Sequence, residues 1–190
     1  MRKDNRGFSL VELIMVMAII AVVVGVSISL VISMTNWKVN RAVETVDSEL
    51  NKAMVSATTK GNVAGLLIYQ YNGTYYAAVI KESCYESSGV YKLTDARTYS
   101  VTELGDKSLT FKFKLNGVGS VGNTEYTLTN QTNKESMSTA AQFLFGKGTG
   151  KISPVEITGN QYNYSGMEIS NSRTTRSIVI YPATGKHDVN

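Results

Sequence analysis

The stretch FSLVELIMVMAIIAVVVGVSISLVISM, residues 8–34, decides how this chain is organised, because Glu12 is its one charged residue. Residues 13–32 form a run of 20 positions that only one glycine and two serines interrupt. A helix of that length rises about 30 Å, which matches the thickness of a bilayer core. The stretch therefore predicts a membrane-spanning helix over residues 8–35.

Basic residues indicate the orientation of this helix. Arg2, Lys3 and Arg6 precede the apolar run, whereas Lys38 and Arg41 follow it together with three nearby carboxylates. Lys and Arg are enriched on the cytoplasmic side of membrane spans. We therefore expect a single pass through the cytoplasmic membrane with the short N-terminus in the cytoplasm.

Two ordinary membrane signals are alternatives to a specialised one. A cleavable secretory signal has an apolar core of about 7–15 residues and small residues at its cut site, and this run is longer and lacks such an end. A plain signal anchor fits the length and the flanks but leaves Glu12 unexplained, because a buried carboxylate costs several kcal/mol toward the bilayer centre. Glu12 therefore needs a partner.

The residues around Glu12 carry a family resemblance. Residues 6–14, RGFSLVELI, resemble the class III signal of type IV pilins and of the pseudopilins of type II secretion and DNA-uptake machines. The resemblance implies that prepilin peptidase, a membrane aspartic protease, cuts between Gly7 and Phe8, removes the basic leader 1–7 and methylates the new amine of Phe8. It also implies that Glu12 meets the N-terminal amine of a neighbouring subunit during assembly, since an ion pair in lipid costs less than a lone charge.

The helical pattern continues beyond the apolar run. Apolar residues recur there at steps of three or four, at Val39, Val43, Val46, Leu50, Met54 and Ala57. Gly61 is a plausible C-cap, so a single helix over about residues 8–60 would be roughly 80 Å long. A two-stranded coiled coil is the alternative for the stripe, but only about two and a half heptads are present, and packing onto the chain's own sheet is favoured.

From residue 62 the period changes to two, which is typical of strands. The sharpest signal is a hairpin in which Asn72-Gly73 joins strands at 66–71 and 75–80. Residues 109–115 alternate between apolar and polar side chains. Further candidate strands are 89–93, 98–102, 124–128, 141–145, 151–157, 166–169 and 176–181.

These patterns together predict an α+β chain. Its long N-terminal helix has a transmembrane half over residues 8–35 and an amphipathic half over residues 36–60. The helix packs on an antiparallel β-sheet in a β-rich extracellular domain over residues 61–190.

Two C-terminal segments carry a second resemblance. Residues 143–146, FLFG, and residues 176–186, RSIVIYPATGK, are similar to the closing strands of minor pseudopilins of the H type. The chain departs from common family features in lacking a cysteine pair near its C-terminus and in having Ser29 near the place where many members have a proline.

Catalytic and metal-binding interpretations have little support, so we expect a protein that is not an enzyme and has no cofactor and no metal. Calcium binding is the alternative left open, because the resemblance is to a family in which some pseudopilins have calcium sites. His187 is the one histidine and is expected to be solvated in a frayed tail, and Cys84 has no partner cysteine. Cys84 is expected to be a small residue at a strand end or an exposed thiol. Residues 117–122 fit G-x-G-x-x-G, but a strand rather than a helix follows, which favours a hairpin loop.

The expected function is that of a structural subunit, a pilin or a minor pilin or pseudopilin, that assembles with like subunits into a pilus-like filament or secretion pseudopilus at the cell surface. Its expected partners are prepilin peptidase, other pilin subunits and, before assembly, membrane lipid. One alternative is a DNA-binding minor pilin that uses Arg173 and Arg176, with Lys147, Lys151 and Lys186 nearby. Another is a membrane-anchored extracellular domain that does not polymerise.

Overall fold

The computed structural model describes the backbone of residues 9–59, 65–157 and 159–190, and the side chains of these residues except 26–35. A long helix, α1 (Leu10–Thr59), is followed by strands and by one turn of 3₁₀ helix at Asp95–Arg97. The strands are β1 (Gly65–Tyr71), β2 (Thr74–Ile80), β3 (Thr98–Asp106), β4 (Thr110–Gly117), β5 (Thr124–Thr127), β6 (Ala141–Leu144), β7 (Val155–Ile157), β8 (Asn160–Ser170), β9 (Thr175–Tyr181) and β10 (Lys186–Val189). The predicted α+β class is confirmed.

Helix α1 has 50 residues, so it is about 75 Å long. Among the residues that the structure describes, no helix has a segment long and apolar enough to cross a membrane. The membrane span predicted for residues 8–35 is therefore not confirmed, and it includes Phe8 and the side chains of residues 26–35, which lie outside the description.

The upper half of α1 buries the apolar stripe that the sequence predicts. Five stripe residues are at most 2% exposed, and Met54 is partly buried; the five are Val39, Val43, Val46, Leu50 and Ala57. They pack against strands of the same chain, which confirms that the helix packs on the β-domain.

The strands form two antiparallel sheets. The first has the order β3-β2-β1-β6, and the second has the order β10-β9-β8-β4-β5 with β7 paired to β8. The sheets meet through aromatic rings: the centroids of Phe143 and Tyr164 are 4.3 Å apart, and those of Phe113 and Phe143 are 6.2 Å apart. The stripe of α1 belongs to the same core, so the helix and both sheets share one apolar interior.

The outer face of the first sheet has a second apolar cluster. Leu67, Tyr69 and Ile80 point away from α1 and pack with Met137 and Cys84 from the loops that cover this face. Both faces of β1 are therefore buried, which explains its almost continuous apolar sequence.

Individual strands agree with the sequence patterns where the alternation is regular. The Asn72-Gly73 turn joins β1 and β2, and both of its residues have positive φ, 48° and 80°. Residues 89–93 were a wrong prediction, because only isolated bridges form there, between Tyr91 and both Tyr85 and Met137. Strand β10 was not predicted, because its sequence, KHDV, lacks apolar alternation.

Candidate functional site

The first turn of α1 contains the residue that the family resemblance singles out. The backbone N–H of Ser9 donates to Glu12 Oε2 at 3.1 Å, and the N–H of Glu12 donates to Ser9 Oγ at 3.3 Å. This reciprocal pair is a capping box, in which each side chain satisfies one of the free amides at a helix start. Gly7 and Phe8, the residues of the predicted cleavage and methylation, lie outside the described part of the chain.

The capping box was missed in the sequence analysis, although Ser9-Leu10-Val11-Glu12 matches its S-x-x-E pattern. Glu12 therefore has a role within its own chain, as a helix cap. Its predicted role toward a neighbouring subunit is untested and stays a prediction.

The lower part of α1 is apolar and bare. From Leu10 to Val24 its large apolar side chains are 47–74% exposed in the single chain. Burying one such side chain stabilises a protein by about 1.5–3 kcal/mol relative to leaving it in water. This segment therefore requires a covering of lipid or of other helices.

The end of the β-domain from which this bare segment extends is called here the base. There the Trp37 side chain is 59% exposed, and the guanidinium of Arg41 lies 5.2 Å from the centre of its ring. Beside them Lys38 Nζ lies 2.8 Å from Asp106 Oδ2. These residues and Glu103 line a cavity of about 310 Å³ between α1 and the β3–β4 hairpin.

The two arginines proposed for DNA binding also lie at the base. Arg176 Nε donates to Asn40 Oδ1 on α1 at 3.3 Å. Arg173 is in the β8–β9 turn, which the Asn171 side chain orders by accepting from the N–H groups of Arg173 and Thr174 at 2.8 Å each. The Thr174 hydroxyl donates to Asn36 Oδ1, so this turn is fixed to the helix.

The lysines considered together with these arginines lie near the other end of the domain. The loop that contains Lys147 and Lys151 meets the β9–β10 turn, which precedes Lys186, where Gly150 and Gly185 approach each other beside Met54. Asn40 and Met54 are about 21 Å apart along α1. The structure therefore does not bring the five cations together, and DNA binding by Arg173 and Arg176 stays an untested prediction.

His187 is not solvated, so the expectation of a frayed tail was wrong. Its side chain is 3% exposed, and its Nε2 lies 3.0 Å from Asp47 Oδ1, close enough for an ion pair but outside hydrogen-bond geometry. The pairing of β10 with β9 holds it against α1.

Cys84 is buried rather than an exposed thiol. Its side chain packs in the cluster on the outer face of the first sheet, and burial raises the pKa of the thiol to about 11. Among the described residues no group of three or more His, Cys, Asp or Glu side chains could hold a metal ion.

The outer surface has two adjoining cavities, of about 170 and 440 Å³, that share Tyr85, Tyr91 and Glu156. The rings of Tyr85 and Tyr91 are 5.1 Å apart. Gln142 fixes the polar side of the smaller cavity, because it accepts from the N–H of Cys84 at 2.6 Å and donates to Ser83 Oγ at 3.1 Å.

Comparison with known proteins identifies the N-terminal segment. Residues 2–28 match the family model described as the prokaryotic N-terminal methylation motif. This motif is the prepilin-type signal of type IV pilins and pseudopilins, so the resemblance of residues 6–14 is confirmed. No curated protein and no solved structure matches the chain. The motif supports a processed, pilin-like subunit.

Proposed function

We propose that this chain is a structural subunit, a pilin or a minor pilin or pseudopilin, of a type IV pilus-like filament or secretion pseudopilus. Prepilin peptidase cuts it between Gly7 and Phe8 and methylates the amine of Phe8. The segment 8–35 anchors it in the cytoplasmic membrane, and the same segment, with Glu12, packs against other subunits after assembly. The matched motif is typical of structural proteins, so the proposed role is structural rather than enzymatic.

The observation that supports this proposal is the change of environment along one continuous helix. The methylation motif, residues 2–28, includes the first turns of α1, which expose apolar side chains. The upper half of the same helix is buried on the β-domain. A rigid helix with one half fixed to its own domain and one half bare is suited to exchange lipid for neighbouring helices, because both provide apolar surroundings.

The processing step is tested by intact-mass analysis of the membrane-extracted protein from a host with active prepilin peptidase. We expect the loss of residues 1–7 and the gain of one methyl group on Phe8. A Gly7→Val variant, whose side chain obstructs a tight protease cleft, should retain the leader. Recovery of the unprocessed wild-type chain would instead favour the plain signal anchor.

The assembly step is tested with variants that separate the charge of Glu12 from its capping role. Glu12→Gln removes the charge but can still complete the capping box, because Gln also accepts from the Ser9 N–H. Ser9→Ala removes the serine side of the box and keeps the charge. If Glu12 pairs with a neighbouring amine, Glu12→Gln should impair incorporation into filaments, whereas Ser9→Ala should incorporate normally.

The opposite ranking of these two variants would show that capping, and not the charge, is what assembly requires. Membrane insertion and cleavage of both variants should equal those of the wild type, since the apolar run is unchanged. These two measurements are the controls for the incorporation assay.

A further inference from the structure

The arginines are unevenly distributed in the described part of the chain. Arg97 is held by two carboxylates, with Nε 2.9 Å from Glu82 Oε1 and Nη1 2.7 Å from Glu86 Oε1. The other three, Arg41, Arg173 and Arg176, have no carboxylate partner among the described residues, and all three are exposed. All three lie at the base of the β-domain.

Contacts place the side chains of Arg41 and Arg176 and the backbone of Arg173. Arg41 lies over the ring of Trp37, Arg176 is held by Asn40, and Arg173 follows the ordered Asn171 side chain in a turn that Thr174 fixes to α1. They therefore lie beside α1 at the base of the β-domain. We call Trp37, Arg41, Arg173 and Arg176 the basal collar.

We propose that the basal collar binds the phosphate groups of anionic phospholipids at the membrane surface before the subunit is assembled. This inference rests on the proposed anchoring of residues 8–35. If that segment spans the bilayer, the collar begins two residues beyond it, at headgroup level. An indole prefers this level, since its ring is apolar and its N–H is polar.

Charge complementarity supports this partner. A guanidinium offers a planar set of donors that fits a phosphate, and the three collar guanidinium groups are not used by carboxylates of the described chain. Lys38 and Asp106 neutralise each other at 2.8 Å, so they leave the charge of the collar unchanged. Glu103 lines the same cavity as Arg41 and reduces the positive charge there.

Trp37 is the one tryptophan of the chain, so its fluorescence reports on the collar directly. The full chain is inserted into vesicles of neutral phosphatidylcholine, or into vesicles in which about a third of that lipid is replaced by phosphatidylglycerol. Acrylamide is used as the quencher because it is uncharged and is not repelled by anionic vesicles. We expect the anionic lipid to lower the quenching constant of Trp37 by about twofold or more.

Raising the salt to about 1 M, where the Debye length is about 3 Å, should restore most of the quenching. Arg173→Ala with Arg176→Ala should remove most of the lipid effect, and these variants keep Arg41, the cation that lies over the Trp37 ring. The matched control is Lys147→Ala with Lys151→Ala, which removes the same charge at the far end of the domain and should leave the lipid effect intact. Circular dichroism checks that both double variants are folded.

Equal quenching in the two kinds of vesicle, or equal responses of the two double variants, would overturn the proposal. The inserted chain is also titrated with duplex DNA, and the quenching of Trp37 by acrylamide is measured. If DNA lowers this quenching in a way that requires Arg173 and Arg176, and anionic lipid does not lower it, the collar binds nucleic acid and the proposal is wrong. Flotation of the chain with vesicles is measured independently. Failure to float would contradict the anchoring, whereas flotation without a lipid effect on Trp37 would contradict the collar alone.

Discussion

Replacement of Gly185 by Ala should destabilise the β-domain severely, because this glycine lies in a crowded left-handed turn. Gly185 has φ +71°, and a Cβ there would lie 2.2 Å from the carbonyl oxygen of Gly150 and 3.1 Å from Met54 Sδ. The turn closes β9 onto β10, since the Gly185 N–H donates to Tyr181 O at 2.8 Å. An alanine would push apart two loops and the helix that they contact.

The matched control is Gly148→Ala in the neighbouring loop. Gly148 has a similar φ, +76°, but no atom lies within 4 Å of the position of its Cβ. An alanine in this conformation costs roughly 1–2 kcal/mol, which is the whole cost expected at Gly148. At Gly185 the overlap with backbone adds about 1–3 kcal/mol, as overpacking does in protein cores.

The two variants should therefore differ in the free energy of unfolding by about 1–3 kcal/mol, measured on the full chain in mild detergent by urea unfolding. Near-ultraviolet circular dichroism of the buried tyrosines follows the β-domain without contribution from the far-ultraviolet signal of the helix. For a chain of this size each kcal/mol corresponds to a change of about 2–4 °C in Tm. Equal losses for Gly148→Ala and Gly185→Ala would refute the argument that the approach of Gly150 to Gly185 makes the glycine necessary.

Three further predictions concern the β-domain. Lys38 and Ser108 hold the pKa of Asp106 below its usual value of about 3.9, so the stabilisation is present above about pH 4 and is lost as the pH falls. Because Asp106 is about half exposed, Asp106→Asn should lower the free energy of unfolding by at most about 1 kcal/mol at neutral pH. Unfolding curves should show that the difference in this free energy between variant and wild type disappears in acid. A difference that does not change with pH would contradict the pairing with Lys38. The Cys84 thiol, with its pKa raised to about 11 by burial, should not react with a thiol reagent at pH 8 until urea unfolds the protein, and rapid reaction of the native chain would show that the cluster opens. A fragment beginning at Asn36 should be soluble and monomeric with more strand than helix, whereas a fragment beginning at residue 61 should aggregate because the helix no longer covers the sheets; equal stability of the two would contradict the packing of the stripe.

Local patterns were sufficient to predict the elements with regular apolar spacing. The buried positions of β4, Phe111, Phe113 and Leu115, alternate with polar ones, and the stripe of α1 repeats at helical steps, so each pattern identifies one type of secondary structure. The methylation motif was recognisable because several residue types occur together at fixed spacing. The same approach missed β10, whose pairing depends on β9 rather than on its own residues.

Spatial relations between distant segments were not predictable from these patterns. Arg176 and Lys186 are ten positions apart and are both near the final turn in sequence, yet they lie toward opposite ends of the domain. The separation follows from the pairing of Lys186 with Tyr181, which lies five residues, or about 17 Å, along β9 from Arg176; this pairing belongs to β10, which was not predicted. The burial of His187 has the same origin, since it depends on the alignment of β10 with Asp47.

Packing of one helix against both sheets determines the direction in which the β-domain best resists force. Helix α1 contacts β1, β2 and β3 on one side and β8, β9 and β10 on the other, over the same half of its length. A pull along the helix axis therefore loads these contacts in shear and in parallel, so that none of them bears the force alone. A pull across the axis would instead peel them apart one turn at a time, at much lower force. The domain is consequently strongest against tension along α1. If residues 8–35 span a bilayer as proposed, this is the direction in which the chain would be drawn out of it.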